Sequence, residues 1–140
     1  MIEIKYNVLN YSFDNLPPYF DNRGTNLRVQ FVRTMQVPSD GSVYELPDSY
    51  DNFPLEHIED FAGKVPEKWL KRGGVIMPMY QSEALFIRFV CNYNFPIAVK
   101  VAVGKVNALT GEPWCDELRA EPQDYFVVPK TENLCGYQYS

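Results

Sequence analysis

The run Ala84-Leu-Phe-Ile-Arg-Phe-Val-Cys91 is followed, after a short polar stretch, by Ile97-Ala-Val-Lys-Val-Ala-Val103. No other part of the chain limits its fold so strongly. Alternate side chains share one side only when the backbone is extended, because successive Cβ atoms of a strand point to opposite faces. The two runs therefore predict a β-hairpin, with a turn beyond it at Asn107-Ala-Leu-Thr-Gly111.

The same period predicts further strands. Ile2, Ile4, Tyr6 and Val8 alternate with Glu3, Lys5 and Asn7, which gives one half-buried strand over 2–8. Leu27, Val29 and Phe31 mark another, and the turn Ser39-Asp40-Gly41-Ser42 leads by a hairpin to a short apolar run at 43–46. Residues 75–80 carry Pro78, which lacks a ladder donor and suits an edge, and Tyr125-Phe-Val-Val128 is a last strand stopped by Pro129. Between these, Pro54 opens a helical spacing of Leu55, Ile58 and Phe61 that Gly63 ends, and Pro66-Glu67 opens a second short helix that Gly73-Gly74 ends.

The fold class is therefore mainly β, a β-rich α+β arrangement: a mostly antiparallel sheet or sandwich with one or two short helices around residues 54–72. A length of 140 residues without repeats or a shift in composition gives a single β-rich domain, 1–140. The stretch 14–25, with Pro17-Pro18 and Arg23-Gly24, has no period and reads as a surface loop.

Charge narrows the function classes. A net charge of −5 opposes a phosphate backbone, so nucleic acid is not an expected partner. The basic group Lys64, Lys68, Lys71 and Arg72 is interrupted by Glu67 and Trp69, as on a solvated helix face. The alternating start Met1 to Tyr6 is unlike a secretory signal, and no apolar run reaches the ~20 residues of a membrane span. Three cysteines, Cys91, Cys115 and Cys135, form no close pair, which fits reduced thiols and a cytoplasmic location.

Several short blocks stand in order along the second half: Pro78-Met-Tyr-Gln81, Ala98-Val-Lys100, Gly104-Lys-Val-Asn-Ala108, Thr110-Gly-Glu-Pro-Trp114 and Gln123-Asp-Tyr125. Over about residues 73–130 they resemble a family of uncharacterised bacterial proteins that share a Pro-Met-Tyr-Gln element, a Gly-Lys-x-Asn-Ala turn and a Gln-Asp-Tyr strand. The resemblance implies no particular reaction, cofactor or ligand. Family members continue into a Gln-Pro-Trp-Leu-Asp-Gly element, where this chain has Lys130-Thr-Glu-Asn-Leu-Cys-Gly-Tyr-Gln-Tyr-Ser140.

Chemistry-bearing residues are sparse. His57 is the single histidine and adjoins no cysteine, and Cys91, Cys115 and Cys135 lie 24 and 20 residues apart without a local anchor for a metal. No catalytic, metal-ligating or cofactor-binding residue is assigned, and no cofactor is expected. Glu56, Glu59 and Asp60, and Asp116, Glu117 and Glu121, read as solvated acidic surface, although two facing carboxylates would serve a glycosidase. Lys100 and Lys105 read as solvated, and Cys91 as a small buried hydrophobe.

The candidate binding residues are Tyr19, Phe20, Tyr50, Tyr80, Gln81 and Glu83. The competing reading stacks Tyr80 in the core and has Gln81 and Glu83 cap the entrance of the strand. The chain is expected to be a non-catalytic binding or assembly module, holding a protein partner or its own copies through aromatic-rich loops and a strand edge. The alternatives are a small hydrolase with a carboxylate or cysteine centre, and a carbohydrate-binding module that grips a sugar, or another small molecule, on aromatic platforms.

Overall fold

The computed structural model describes residues 2–13, 26–36, 38, 40–43, 45, 49–91, 96–128 and 133–135. Strands dominate them, joined by antiparallel pairing, with one short α-helix and one 3-10 helix. The expected mainly β class is thus what the chain adopts.

The N-terminal alternation does not make one strand. It folds into β1 (Ile2–Lys5) and β2 (Val8–Ser12), a hairpin whose two-residue turn, Tyr6 and Asn7, has φ of 53° and 59°. Both central residues in the left-handed region define a type I′ turn, whose twist suits the flanking strands. Periodicity shows only which side chains share a face, and a two-residue reversal leaves it uninterrupted.

β2 pairs with β3 (Asn26–Thr34), and β3 pairs along eight residues with β7 (Ala84–Cys91). β4 (Ser49–Asn52) takes the far half of β3, on the side where β2 takes the near half, and β12 (Asn133–Cys135) lies beyond β7. The main sheet therefore runs β1-β2-β3-β7-β12 with β4 beside β3. Among the described residues the partners of β3 are β2, β4 and β7; in the expected run at 43–46 Val43 is 99% exposed, and Tyr44 and Leu46 lie outside the described residues. The Asp40 turn does form, with the Ser42 amide donating to Asp40 Oδ1 at 2.9 Å.

The predicted hairpin of 84–91 with 97–103 is also not made. The second run splits into β8 (Ile97–Val99), which pairs with β11 (Phe126–Val128), and β9 (Ala102–Val103), which pairs with β10 (Val106–Asn107) across a Gly104-Lys105 turn at φ 58° and 67°. Alternation fixes an extended backbone but carries no label for the partner strand, so long-range pairing chose β3 for β7 and β11 for β8.

The segment after Pro54 opens as a strand, β5 (Glu56–His57), paired with β6 (Val75–Ile76), and only then turns through a 3-10 helix, Ile58–Phe61. Leu55 and Ile58 are buried, and a three-residue spacing suits one 3-10 turn as well as an α-helix. The second helix forms as expected: α1 (Glu67–Arg72) ends at Gly73, φ 71°, whose amide donates to the Trp69 and Leu70 carbonyls.

Odd-numbered β3 residues face a core of Val29, Phe89, Cys91 and Val128, flanked by Leu9, Phe31, Ile97, Val99 and Phe126. The β8–β11 pair thus forms a second layer over that face. Val32 and Phe86 are register partners of the opposite parity and are also buried, so the sheet is covered on both sides. Phe53, fully buried, donates its amide to the Phe31 carbonyl at 2.8 Å, and the Asn7 side chain accepts from the Leu55 amide at 3.3 Å, clasping the first hairpin to this segment.

Candidate functional site

Two places gather polar and aromatic side chains. The first lies at the end of the β8–β11 pair, where the strand run breaks at Lys100 between β8 and β9. Contrary to its solvated reading, the Lys100 side chain is only 7% exposed, and Nζ meets Asp124 Oδ2 at 2.9 Å with Asp124 fully buried. Nζ also donates to the carbonyls of Cys115 at 2.6 Å and Glu117 at 2.7 Å, so its three N–H groups have three oxygen acceptors. Cys115 Sγ sits 3.1 Å away, and the Trp114 ring centroid lies 5.0 Å from the ammonium.

Asp124 is engaged from every side. Oδ1 accepts from the Arg119 amide at 2.9 Å, Oδ2 also accepts from Arg119 Nε at 3.3 Å, and Arg119 pairs outward with Glu112. The Asp124 carbonyl accepts from buried Asn107 Nδ2 at 2.8 Å, while Asn107 Oδ1 caps the Leu109 and Thr110 amides at 2.8 and 3.0 Å. The predicted 107–111 turn is thus built around Asn107, and Gly111 at φ 74° closes it on the Asn107 carbonyl.

Electrostatics follow from this geometry. The Lys100 hydrogen bond, helped by the Arg119 amide and opposed by burial, holds the Asp124 carboxyl down at about 2. For Lys100, burial disfavours the ammonium, but hydrogen bonds to Asp124 and Cys115 outweigh it and the net shift is upward. Arg119 is raised by Glu112 first and Asp124 second, and burial pushes the Cys91 thiol up. A lysine whose donors are all taken and an aspartate whose carboxylate is held by Lys100 and twice by Arg119 tie segments together; they do not present a spare base or nucleophile.

Lys100, Asn107, Trp114 and Asp124, which belong to four of the blocks named above, meet in this one cluster. Sequence reasoning assigned turn geometry to Asn107 but missed the convergence. The one hint was small Ala98 and Ala102 two residues either side of Lys100, which leaves room for another segment to approach.

The second place is the end of the main sheet where β3 finishes. Thr34 pairs with Ser49 on one side and Ala84 on the other, which brings Tyr50 and the approach to β7 to the same end. Tyr80 is 83% exposed there, not stacked in the core, and Tyr50 is 57% exposed. Met35, which follows Thr34, and Met79, which precedes Tyr80, are also exposed. Glu83 does cap the strand entrance: Oε2 accepts the Tyr80 amide at 2.9 Å and Oε1 lies 3.0 Å from Arg33 Nε in β3. The Arg33 guanidinium stacks 4.5 Å above the buried Phe53 ring, so an exposed aromatic loop is tied back to the core. Gln81 is exposed in the same loop, whereas Tyr19 and Phe20 lie outside the described residues.

The other candidates stay apart. His57 pairs in register with Val75 in the small β5–β6 sheet, and among the described residues no hydrogen bond joins it to Cys91 or Cys115. Among the described residues no three His, Cys, Asp or Glu side chains converge as metal ligands would, and no helix is long and apolar enough to cross a membrane. Asp116 accepts from Trp114 Nε1 at 2.8 Å, and Glu59, Asp60 and Glu121 are exposed. Comparison with protein families, curated proteins and solved structures gives no match.

Proposed function

We propose that the protein is a non-catalytic binding or assembly module that holds a protein partner, or its own copies, through aromatic loops and a strand edge. The observation that carries this reading is Tyr80: 83% exposed, yet held at its own amide by a carboxylate that pairs with a β3 arginine. An aromatic ring with few rotamers on an anchored backbone loses little entropy on contact, which is how Tyr contributes to interfaces. Tyr50 at the same sheet end enlarges the surface. The full engagement of Lys100 and Asp124 favours this reading over a hydrolase, since neither offers an unspent acid or base.

The test is recovery of a partner by purified protein, comparing the wild type with a Tyr50→Ser, Tyr80→Ser double variant. Both rings are exposed, so folding stability stays within about 0.5 kcal/mol. A stoichiometric partner that is lost with the double variant supports the module. A partner held equally well by the folded variant removes this surface from consideration, and a small molecule turned over by the wild type returns the hydrolase.

A further inference from the structure

We propose that β1 is a self-recognition edge: it pairs antiparallel with β1 of a second copy about a two-fold axis at Ile4, joining two main sheets into one. The inference rests on the strand-edge half of the reading above and names the partner.

The geometry begins with the type I′ hairpin. In a two-residue hairpin the residues flanking the turn, Lys5 and Val8, exchange both backbone bonds, and antiparallel pairs alternate from there. Lys5 and Glu3 therefore aim their N–H and C=O groups at β2, while Ile4 and Ile2 aim theirs outward. The same alternation carried across the sheet turns the Phe31 carbonyl away from β7, where it accepts the Phe53 amide at 2.8 Å. Among the described residues β1 has no strand on its outer side.

Side chains on this edge are self-complementary. With the axis at Ile4, the two Ile4 residues face each other as the hydrogen-bonded pair, and Glu3 of each copy stands opposite Lys5 of the other. Both opposite-charge pairs form at once, within the extended residues Glu3 to Lys5. A slip of the axis to Glu3 sets two carboxylates against each other, so charge selects the register. The face is suited to cover as well. Cys91, Leu27, Tyr11 and Ile2 form one cross-strand row on the core side, and Cys91 at one end is 7% exposed while Tyr11 and Ile2 at the other are 39% and 45% exposed. A second copy continues that row.

The experiment is sedimentation over a concentration series for the wild type, Glu3→Lys, Lys5→Glu and the double swap. Glu3 and Lys5 are exposed, so all four keep the same circular dichroism and, at the dilute end of the series where each is a single chain, the same melting temperature. The wild type is expected to move from one chain mass towards two. Each single variant raises the dissociation constant roughly tenfold or more, because two cross-strand pairs change from attraction to repulsion. Mixing the two single variants restores association, since the edge of one then carries only cations at these two positions and the edge of the other only anions. The double swap restores association alone, because exchanging the two charges keeps opposite signs face to face. A wild type that stays at one chain mass to millimolar concentration overturns the proposal, as does a Glu3→Lys variant that associates like the wild type. Self-association lost with Tyr50→Ser, Tyr80→Ser and kept by Glu3→Lys also overturns it, while leaving the binding-module reading in place. Self-association that follows the charge swaps, with no partner recovered through the tyrosines, upholds β1 pairing and confines the module to self-assembly.

Discussion

Asn107→Ala is the perturbation that most directly probes how the loop from 100 to 124 is held. The side chain is 3% exposed and makes three hydrogen bonds: to the Asp124 carbonyl at 2.8 Å, and from the Leu109 and Thr110 amides at 2.8 and 3.0 Å. At a net value of roughly 1 kcal/mol each, with a further penalty for the buried carbonyl left unpaired, the loss is about 2–4 kcal/mol. For a domain of this size that corresponds to a fall in Tm of roughly 10 °C. Asn107→Ser separates the two halves of the effect: a short hydroxyl still caps the turn but cannot reach the Asp124 carbonyl, so about half of the loss is expected. The assay is urea unfolding followed by tryptophan fluorescence and, separately, by far-UV circular dichroism, the two transitions coinciding if unfolding is two-state. A loss for Asn107→Ala below about 0.5 kcal/mol, the range of an ordinary surface change, would refute the idea that Asn107 organises this loop.

Two further outcomes are expected. Asp124 is depressed to about 2 in the folded chain from an ordinary 3.8, so its contribution is present above pH 4 and is lost as pH falls from about 4 to about 2; in acid titrations of stability, Asp124→Asn should be less stable at neutral pH and show a shallower decline through that window, and an unchanged decline would contradict the assignment. Tyr6 holds φ of 53° in the type I′ turn with its side chain 87% exposed, so Tyr6→Asn should stabilise the chain by up to about 1 kcal/mol in thermal unfolding, because Asn adopts the left-handed region more readily; destabilisation would show that the ring makes a contact of value.

The apolar alternations of 27–31 and 84–91 were legible because a period of two needs only neighbours in sequence, and both became central strands. The stop at Gly73-Gly74 was legible for a like reason, since glycine there satisfies a local backbone demand. The partner of each strand was not legible. Residues 84–91 pair with β3, from Thr34 opposite Ala84, 50 positions apart, to Leu27 opposite Cys91, 64 positions apart, and nothing in either run names the other. At the sheet end, the run-up to β7 drew attention to Tyr80, Gln81 and Glu83, but the anchoring of their loop to β3 needed Glu83 to meet Arg33, fifty positions earlier.

Local chemistry was enough to set the extended, face-alternating backbone, the short helix after Pro66 and the Asn107 turn, all consequences of steric and hydrogen-bonding preferences that act over a few residues. Folding in three dimensions was needed before β8 could leave β7 for β11, Lys100 could go inward to Asp124, and Tyr80 could stay out. These choices depend on which distant donors, acceptors and apolar faces arrive at the same point, and on burial that makes an unpaired charge intolerable while leaving a paired one in place.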